Sequence, residues 1–383
     1  MNKILIENIT NCFVKRFETK PLLINSPGRI NIIGEHTDYN EGFVFPAAID
    51  KSIVTAIGKS NTHSCSAYAY DNDELFQFSL ENIKSIENGN WKNYVLGVVA
   101  EIQKKGKIVE PFNVVFGGDI PSGAGLSSSA ALENSIVFGL NELFNLKLTK
   151  AEMILISQKA EHNYVGVKCG IMDQYASMFG KKNNALHLDC RTIASKPYEI
   201  NFKDYKFILI NTNVKHSLSD SAYNDRRSAC ESVSKMLGLK ALREASENDL
   251  KTIENKVTPE NYQKALYIIQ EIERTKNAAK AIENNDLKTL GALIYASHNG
   301  LQHQYMVSCE ELDFLVEQAK LNSHVLGARM MGGGFGGCTI NLIAKDQLEG
   351  FKIQVSKAYQ EKFNKDCSIY EVNLSDGTHI INN

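Results

Sequence analysis

Gly-Gly-Asp-Ile-Pro-Ser-Gly-Ala-Gly-Leu-Ser-Ser-Ser-Ala-Ala-Leu-Glu, residues 117–133, joins a strand-like run at 112–116 to a helical pattern that starts near Ser127. In the helix, predicted over about 127–145, Leu132, Ile136, Leu140 and Leu143 recur at spacings of three and four. Gly123 and Gly125 let the backbone approach a ligand closely and turn its N–H groups inward, with Ala124 and Leu126 between and beyond them. Ser127, Ser128 and Ser129 then open a helix whose first N–H groups lack partners and whose dipole end is positive. Strand, glycine turn and helix start together predict an anion site. A plain Ser-capped helix is the competing reading. No Gly-Lys-Ser/Thr follows, so this is not a Walker loop, and the Gly-x-Gly-x-x-Gly of a dinucleotide fold is missing as well.

Upstream, residues 28–40 read Gly-Arg-Ile-Asn-Ile-Ile-Gly-Glu-His-Thr-Asp-Tyr-Asn. Arg29, Glu35, His36 and Asp38 are framed by Ile30, Ile32 and Ile33 before and by Phe43, Val44 and Phe45 after. Charges framed by core-type sequence are costly to bury without partners. An exposed loop is one solution. The sharper one is a polar pocket whose carboxylates accept hydrogen bonds from a neutral, polyhydroxylated ligand, and such a site rejects analogues that lack a hydroxyl.

With 383 residues the chain is too long for one small core, so two domains are expected, 1–200 and 201–383, divided near Ser195-Lys196-Pro197. A net charge of −2 and the lack of any long Lys/Arg run leave no basic footprint for nucleic acid, so a small-molecule partner is favoured. Eight cysteines without a Cys-x-x-Cys pair suggest free thiols in a reducing compartment and argue against a zinc site. No signal-peptide layout opens the chain, and no stretch nears the ~18 apolar residues of a membrane span. A cytoplasmic protein without membrane partners is expected.

Strands are predicted at 22–33, 43–57, 112–116, 206–212 and 338–343, and a second helix at 149–164. From 220 to 321 long helical patterns take over, broken at Pro259 and at Asn-Asn pairs. The fold class is α+β, two-lobed, with mixed sheets, a helical C-terminal lobe and a site in the cleft between lobes.

The run at 28–40, continued through Glu41-Gly42-Phe43-Val44-Phe45-Pro46, resembles the sugar-binding signature of galactokinases. That family belongs with the homoserine, mevalonate and phosphomevalonate kinases. The loop at 121–130 is similar to the Pro-x-Gly-x-Gly-Leu-Ser-Ser-Ser-Ala nucleotide loop of the same superfamily, and Cys169-Gly170-Ile171-Met172-Asp173-Gln174 to a third family segment. The resemblance runs from about residue 20 to the C-terminus. It implies a small-molecule kinase fold, ATP and Mg²⁺ as cofactors, and D-galactose as the substrate phosphorylated at its anomeric hydroxyl. Glu35, His36, Thr37, Asp38, Gly170 and Tyr223 would hold the sugar, and residues 123–129 the nucleotide. Trp91 with Tyr94 would wall the adenine, although core packing explains them as well. Ser129 and Glu161 would ligate Mg²⁺, with a salt bridge or an exposed helix face as the alternatives for Glu161. Glu161 follows Ile154 by seven residues, which places both on one helix face.

Asp173 is the implied general base and Arg29 its neighbour in the chemistry. Their pairing would keep the aspartate charged, which suits late proton transfer and a loose transition state. Tyr223 lies in Val214–Arg227, similar to a family segment whose tyrosine reaches the sugar, and packing is the simpler use of such a residue. The Gly-rich turn at 332–337 would approach the loop at 123–129 or simply close a hairpin. Gln302-His303-Gln304-Tyr305 and Glu310 depart from the family pattern. A monomer is expected, with a weak homodimer as the alternative. Two other functions stay open: a sugar- and nucleotide-binding regulator without turnover, and a kinase for N-acetylgalactosamine, arabinose or a uronic acid.

Overall fold

The computed structural model describes residues 2–214 and 219–382, without the side chains of 219–221. Its strands are β1 (Leu22–Asn31), β2 (Phe43–Val44), β3 (Pro46–Lys59), β4 (Cys65–Ala69), β5 (Glu74–Phe78), β6 (Phe112–Gly118), β7 (Asn184–Asp189), β8 (Ala194–Glu199), β9 (Tyr205–Asn211), β10 (Val325–Met330), β11 (Cys338–Ala344), β12 (Ser368–Glu371) and β13 (His379–Ile380). The helices are α1 (Lys3–Phe17), α2 (Trp91–Lys104), α3 (Ser128–Phe144), α4 (Lys150–Ala160), α5 (Met172–Phe179), α6 (Ser219–Met236), α7 (Glu247–Lys251), α8 (Pro259–Glu283), α9 (Leu287–His303), α10 (Glu310–Lys320) and α11 (Leu348–Phe363). Each predicted strand is present, with the run at 43–57 split between β2 and β3.

A six-stranded sheet runs β13-β1-β3-β6-β4-β5, antiparallel except for the parallel pair β4–β6. Helices α3 and α5 cover one face of β1 and β3, with α2 and α4 packed behind them, and α1 covers the other face. The apolar stripe of α1, Leu5, Ile9 and Phe13, is buried there, as expected of a surface helix docked by one side. A four-stranded antiparallel sheet, β10-β11-β9-β12, carries the second lobe under α9, α10 and α11, and a small sheet β2-β7-β8 lies between. From Val372 the chain leaves β12 and returns to the first sheet. Ile49 bridges Leu374, Thr378 donates its hydroxyl to the Ser177 carbonyl, and β13 pairs with β1.

Three local details differ from the sequence expectation. Pro259 does not break a helix but begins one: Thr258 caps α8, and proline fits a first-turn position whose N–H has no partner anyway. The helix predicted over 149–164 ends as an α-helix at Ala160 and continues as a π turn, Glu161–Val165. Between Pro27 and Arg29 the β1–β3 register shifts, a bulge that re-aims the next side chain. Gly28 permits it, because a Cβ there would lie 2.6 Å from the Leu126 carbonyl oxygen.

Candidate active site

The bulge turns Arg29 toward the loop that follows β6. Its backbone N–H donates to the Leu126 carbonyl at 3.1 Å and its Nη1 to the Gly125 carbonyl at 2.5 Å. Its Nε and Nη2 donate to the two oxygens of Asp173, at 2.8 and 3.1 Å. Ser127, in the left-handed region at φ 60°, donates its hydroxyl to Asp173 Oδ2 at 2.5 Å instead of capping α3. Arg29, Asp173 and the phosphate loop therefore form one unit. Gly123 and Gly125 both have positive φ, 72° and 71°, which glycine adopts without steric cost.

The turn at 332–337 meets this loop backbone to backbone. A Cβ on Gly332 would stand 3.3 Å from the Gly125 oxygen, and one on Gly337 3.4 Å from the Ala124 carbonyl. The turn thus does both things expected of it, closing the β10–β11 hairpin and bracing the phosphate loop.

On the other side of Arg29 is a small polar cavity of about 40 Å³, lined by Arg29, Glu35, His36, Asp38, Asp173 and Tyr223. Cys169, Met172, Gly332 and Gly333 complete its wall. That volume is large enough to admit water. A larger groove of about 240 Å³ near Ile30, Phe207 and Leu374 contains none of these groups, so chemistry rather than size marks the site.

Each sugar-signature residue is held differently. Glu35 Oε1 accepts from Arg329 Nη1 and Nη2, both at 3.1 Å, and from the Gly332 N–H at 2.9 Å. Asp38 is buried and accepts from the Tyr39 N–H at 3.0 Å. Burial first, and the charge of Asp173 second, push its carboxyl up from 3.8 to about 7. His36 sits at φ 63° with its ring in the cavity wall. Burial, then the charge of Arg226, pull its pKa down to about 3, so the imidazole is neutral. The Tyr223 ring lies 5.3 Å from that of His36. Thr37 is buried but turned away, its hydroxyl donating to the Gly34 and Phe43 carbonyls. Gly170 is forced by sterics: a Cβ would fall 2.0 Å from Asp38 Oδ2. Of the run Val214–Arg227, Lys215 to Leu218 lie outside the described residues.

Trp91 lies at the start of α2, half-buried, with its ring against Phe76 and Phe116 and its Nε1–H donating to Glu74 at 2.7 Å. Glu161 is buried at the π turn, a feature frequent at functional sites. It shares the Gln174 amide, at 3.0 Å, with Glu133, at 3.4 Å. Burial, and next the charge of Glu161, push the Glu133 carboxyl well above its ordinary value. One Glu133 oxygen has no partner. The two carboxyls also hydrogen-bond each other, which raises Glu133 further. Among the described residues no group of three or more His, Cys, Asp and Glu is placed to hold a metal. A site made of one hydroxyl, one carboxylate and phosphate oxygens is of a different kind.

Sequence reading missed Arg329 and Glu271. Arg329 is fully buried and donates to the Ile32, Asn31 and Met330 carbonyls as well as to Glu35. Glu271, also fully buried, accepts from the Gly34 N–H at 3.0 Å and from Ser297 at 2.6 Å. A lone arginine within the apolar strand Val325–Met330 was the available signal for the first. For Glu271 there was none.

Family models match three parts of the chain: the galactokinase galactose-binding signature at residues 11–59, the GHMP kinases N terminal domain at 93–181 and the GHMP kinases C terminal at 278–360. The galactokinase of Clostridium acetobutylicum is 39% identical over 386 residues, 99% of this chain and 98% of that protein. That of Thermotoga neapolitana is 39% identical over 94% of this chain and 99% of its own length. The crystal structure of Lactococcus lactis galactokinase complexed with galactose superposes with a TM-score of 0.94 at 34% identity, covering 98% of this chain and 99% of that one. Mevalonate kinase from Methanococcus jannaschii shares the fold at a TM-score of 0.62 and 18% identity, over 93% and 99% of the two chains. Matched along almost its whole length by these relatives, and by the signature over the segment that builds the polar cavity, the chain belongs to the galactokinase family of ATP-dependent sugar kinases.

Proposed function

We propose that this protein transfers the γ-phosphoryl group of ATP to the anomeric hydroxyl of D-galactose, giving galactose 1-phosphate and ADP. The observation that carries the reading is the bridge made by Asp173, which lines the polar cavity while its carboxylate is held by Arg29 and by Ser127 of the phosphate loop. Glu35, His36, Asp38, Tyr223 and the Gly170 backbone orient the sugar hydroxyls. Thr37 supports them by fixing the loop. Asp173 accepts the anomeric proton as the hydroxyl oxygen bonds to phosphorus and the bond to the ADP oxygen breaks. Arg29 offsets charge on the moving phosphoryl group, and late proton transfer tolerates a base already paired with a cation.

Residues 123–129 hold the phosphates, with Trp91 at the adenine end. Mg²⁺, when bound, neutralises phosphate charge, and Ser129 with Glu161 would hold it. The domain division at 1–200 and 201–383, with the last strand lent back to the first sheet, belongs to the same reading, as do a monomeric state and a cytoplasmic location. No helix among the described residues is long and apolar enough to cross a membrane.

The test is coupled ADP release by purified protein over a panel of galactose, N-acetylgalactosamine, arabinose, galacturonate, mevalonate and homoserine. Turnover strongest with galactose is expected. Turnover with mevalonate or homoserine alone would overturn the proposal, and turnover with none would favour a binding-only regulator.

A further inference from the structure

Gly34 and His36, on either side of Glu35, both have positive φ, 99° and 63°. Glycine adopts such angles at no steric cost, but a residue with a side chain keeps one only where its surroundings hold it there. Part of that hold comes from the loop itself. The Thr37 hydroxyl donates to the Gly34 carbonyl at 2.9 Å, and the Asn40 Nδ2 to the His36 carbonyl at 3.0 Å. The rest comes from α8, in the second lobe. Glu271 Oε1 accepts from the Gly34 N–H at 3.0 Å, and the Tyr267 hydroxyl donates to the Glu35 carbonyl at 3.1 Å. These two bonds fix the peptide groups before Gly34 and after Glu35.

Glu271 and Tyr267 are both sealed from solvent, at 0% exposure, and they belong to one assembly. Glu271 Oε1 also accepts from Ser297 of α9 at 2.6 Å, and Oε2 from Arg274 Nε at 2.6 Å. The Arg274 guanidinium lies 5.5 Å from the centre of the Tyr267 ring. Tyr267, Glu271 and Thr275 recur every four residues along one face of α8. A Cβ on Gly34 would stand 2.9 Å from Thr275 Oγ1, so the loop is pressed directly against that face.

We propose that Glu271 and Tyr267 are positioning residues that hold the Gly34–His36 backbone in the conformation that turns Glu35 and His36 toward a bound sugar. The sugar rests on the function proposed above; the hold on the loop does not.

Each bond in the set has one direction. Backbone and guanidinium N–H groups only donate, and a backbone carbonyl or a carboxylate paired with arginine only accepts. Without the Glu271 carboxylate the Gly34 N–H is left buried with no acceptor, a cost that the chain relieves by turning at its most permissive residue, Gly34 itself. Such a turn carries Glu35 and His36 out of line. Arg29, Asp173 and the loop at 123–129 hold one another through separate bonds and stay in place. Loss of the α8 contacts therefore weakens sugar binding and spares the transfer step.

The test joins hydrogen exchange of the ligand-free protein to kinetics with ATP and the sugar that the unmodified protein turns over best. The Gly34 amide should exchange at least about tenfold faster in Glu271→Met than in the unmodified protein, and stay slow in Glu271→Gln, whose amide oxygen still accepts. Glu271→Met should raise KM for the sugar about tenfold or more, with kcat and KM for ATP nearly unchanged, and Glu271→Gln should recover most of the loss. Tyr267→Phe keeps the ring and loses only the bond to Glu35. It should raise KM for the sugar about three- to tenfold, and it decides the matter if Glu271→Met does not fold. Fast exchange of Gly34 in the unmodified protein, a sugar KM unchanged in Tyr267→Phe, or equal rises in KM for sugar and ATP would overturn the proposal. A best sugar other than galactose would revise the substrate and leave the comparison of variants intact. If no sugar is turned over, the same comparison is made on sugar affinity by calorimetry.

Discussion

Arg29 grips both carboxylate oxygens of Asp173, Nε to Oδ1 at 2.8 Å and Nη2 to Oδ2 at 3.1 Å, across 144 residues of sequence. The fork fixes the plane of the carboxylate as well as its place. It sets the lone pairs of Asp173 at the edge of the cavity, and the same guanidinium holds the phosphate loop through Gly125. The polar cavity and the loop at 123–129 are thus aligned by one side chain, as the proposed direct transfer between two bound substrates would require.

Replacing Asp173 by Asn keeps the size of the side chain and removes the proton acceptor. We expect kcat to fall at least about 100-fold, with galactose affinity by calorimetry within a few-fold of the unmodified protein. More than about a tenth of kcat remaining would remove Asp173 from the role of base.

Gly170→Ala places a methyl group 2.0 Å from Oδ2 and 2.1 Å from Cγ of the buried Asp38. Galactose binding should weaken by at least about 100-fold, because Asp38 must move out of line. ATP binding, measured by nucleotide fluorescence, should be nearly unchanged. Equal loss of both ligands would point to general unfolding.

Arg329→Met leaves Glu35 buried without its cation and strands three backbone carbonyls. Breaking a buried pair from one side costs ~3–5 kcal/mol, which urea denaturation would read as a fall in ΔG of unfolding. Arg329→Lys retains charge but not the fork, so it should recover part of the loss. A change below about 1 kcal/mol for Arg329→Met would mean that the pair contributes little.

Asp38 makes the site pH-dependent. Its carboxyl is raised from 3.8 to about 7, by burial and then by Asp173. A sugar hydroxyl donating to this group favours the ionised form, so galactose binding should release a proton and strengthen as pH rises through about 7. For stability the sign is opposite. The unfolded chain loses this proton near 3.8 and the folded one near 7, so the group's contribution is present below the first value and lost by the second. Asp38→Asn should flatten the fall of Tm between pH 5 and 8 and raise Tm at pH 8, while weakening galactose binding. A titration of galactose affinity unchanged in Asp38→Asn would assign it to another group.

Much of the site was legible because its residues come in short runs. Glu35, His36 and Asp38 line the cavity together as their spacing in one loop suggested, and the glycines and serines of 123–129 lie between a strand and a helix as read. Thr37 shows the limit of such reading. It stands among the cavity residues in sequence, yet its hydroxyl is used by the loop's own carbonyls. Glu161 was expected on a helix face, and burial there holds, but on a π turn that no spacing rule signals.

Sequence alone determined which chemistry the chain carries, since anion loops, strand-to-helix junctions and clustered carboxylates are local patterns with local causes. Tertiary structure decided what supports them. Arg329 reaches Glu35 across 294 residues, Tyr305 reaches Tyr39 across 266, and residues 374–380 close the first sheet that β1 began. Periodicity reports which face of an element is buried, but not which distant element covers it. A buried arginine and a buried carboxylate look alike in sequence whether they meet each other or not. Only the packing of β10 against residues 31–35 makes them one ion pair beside the polar cavity.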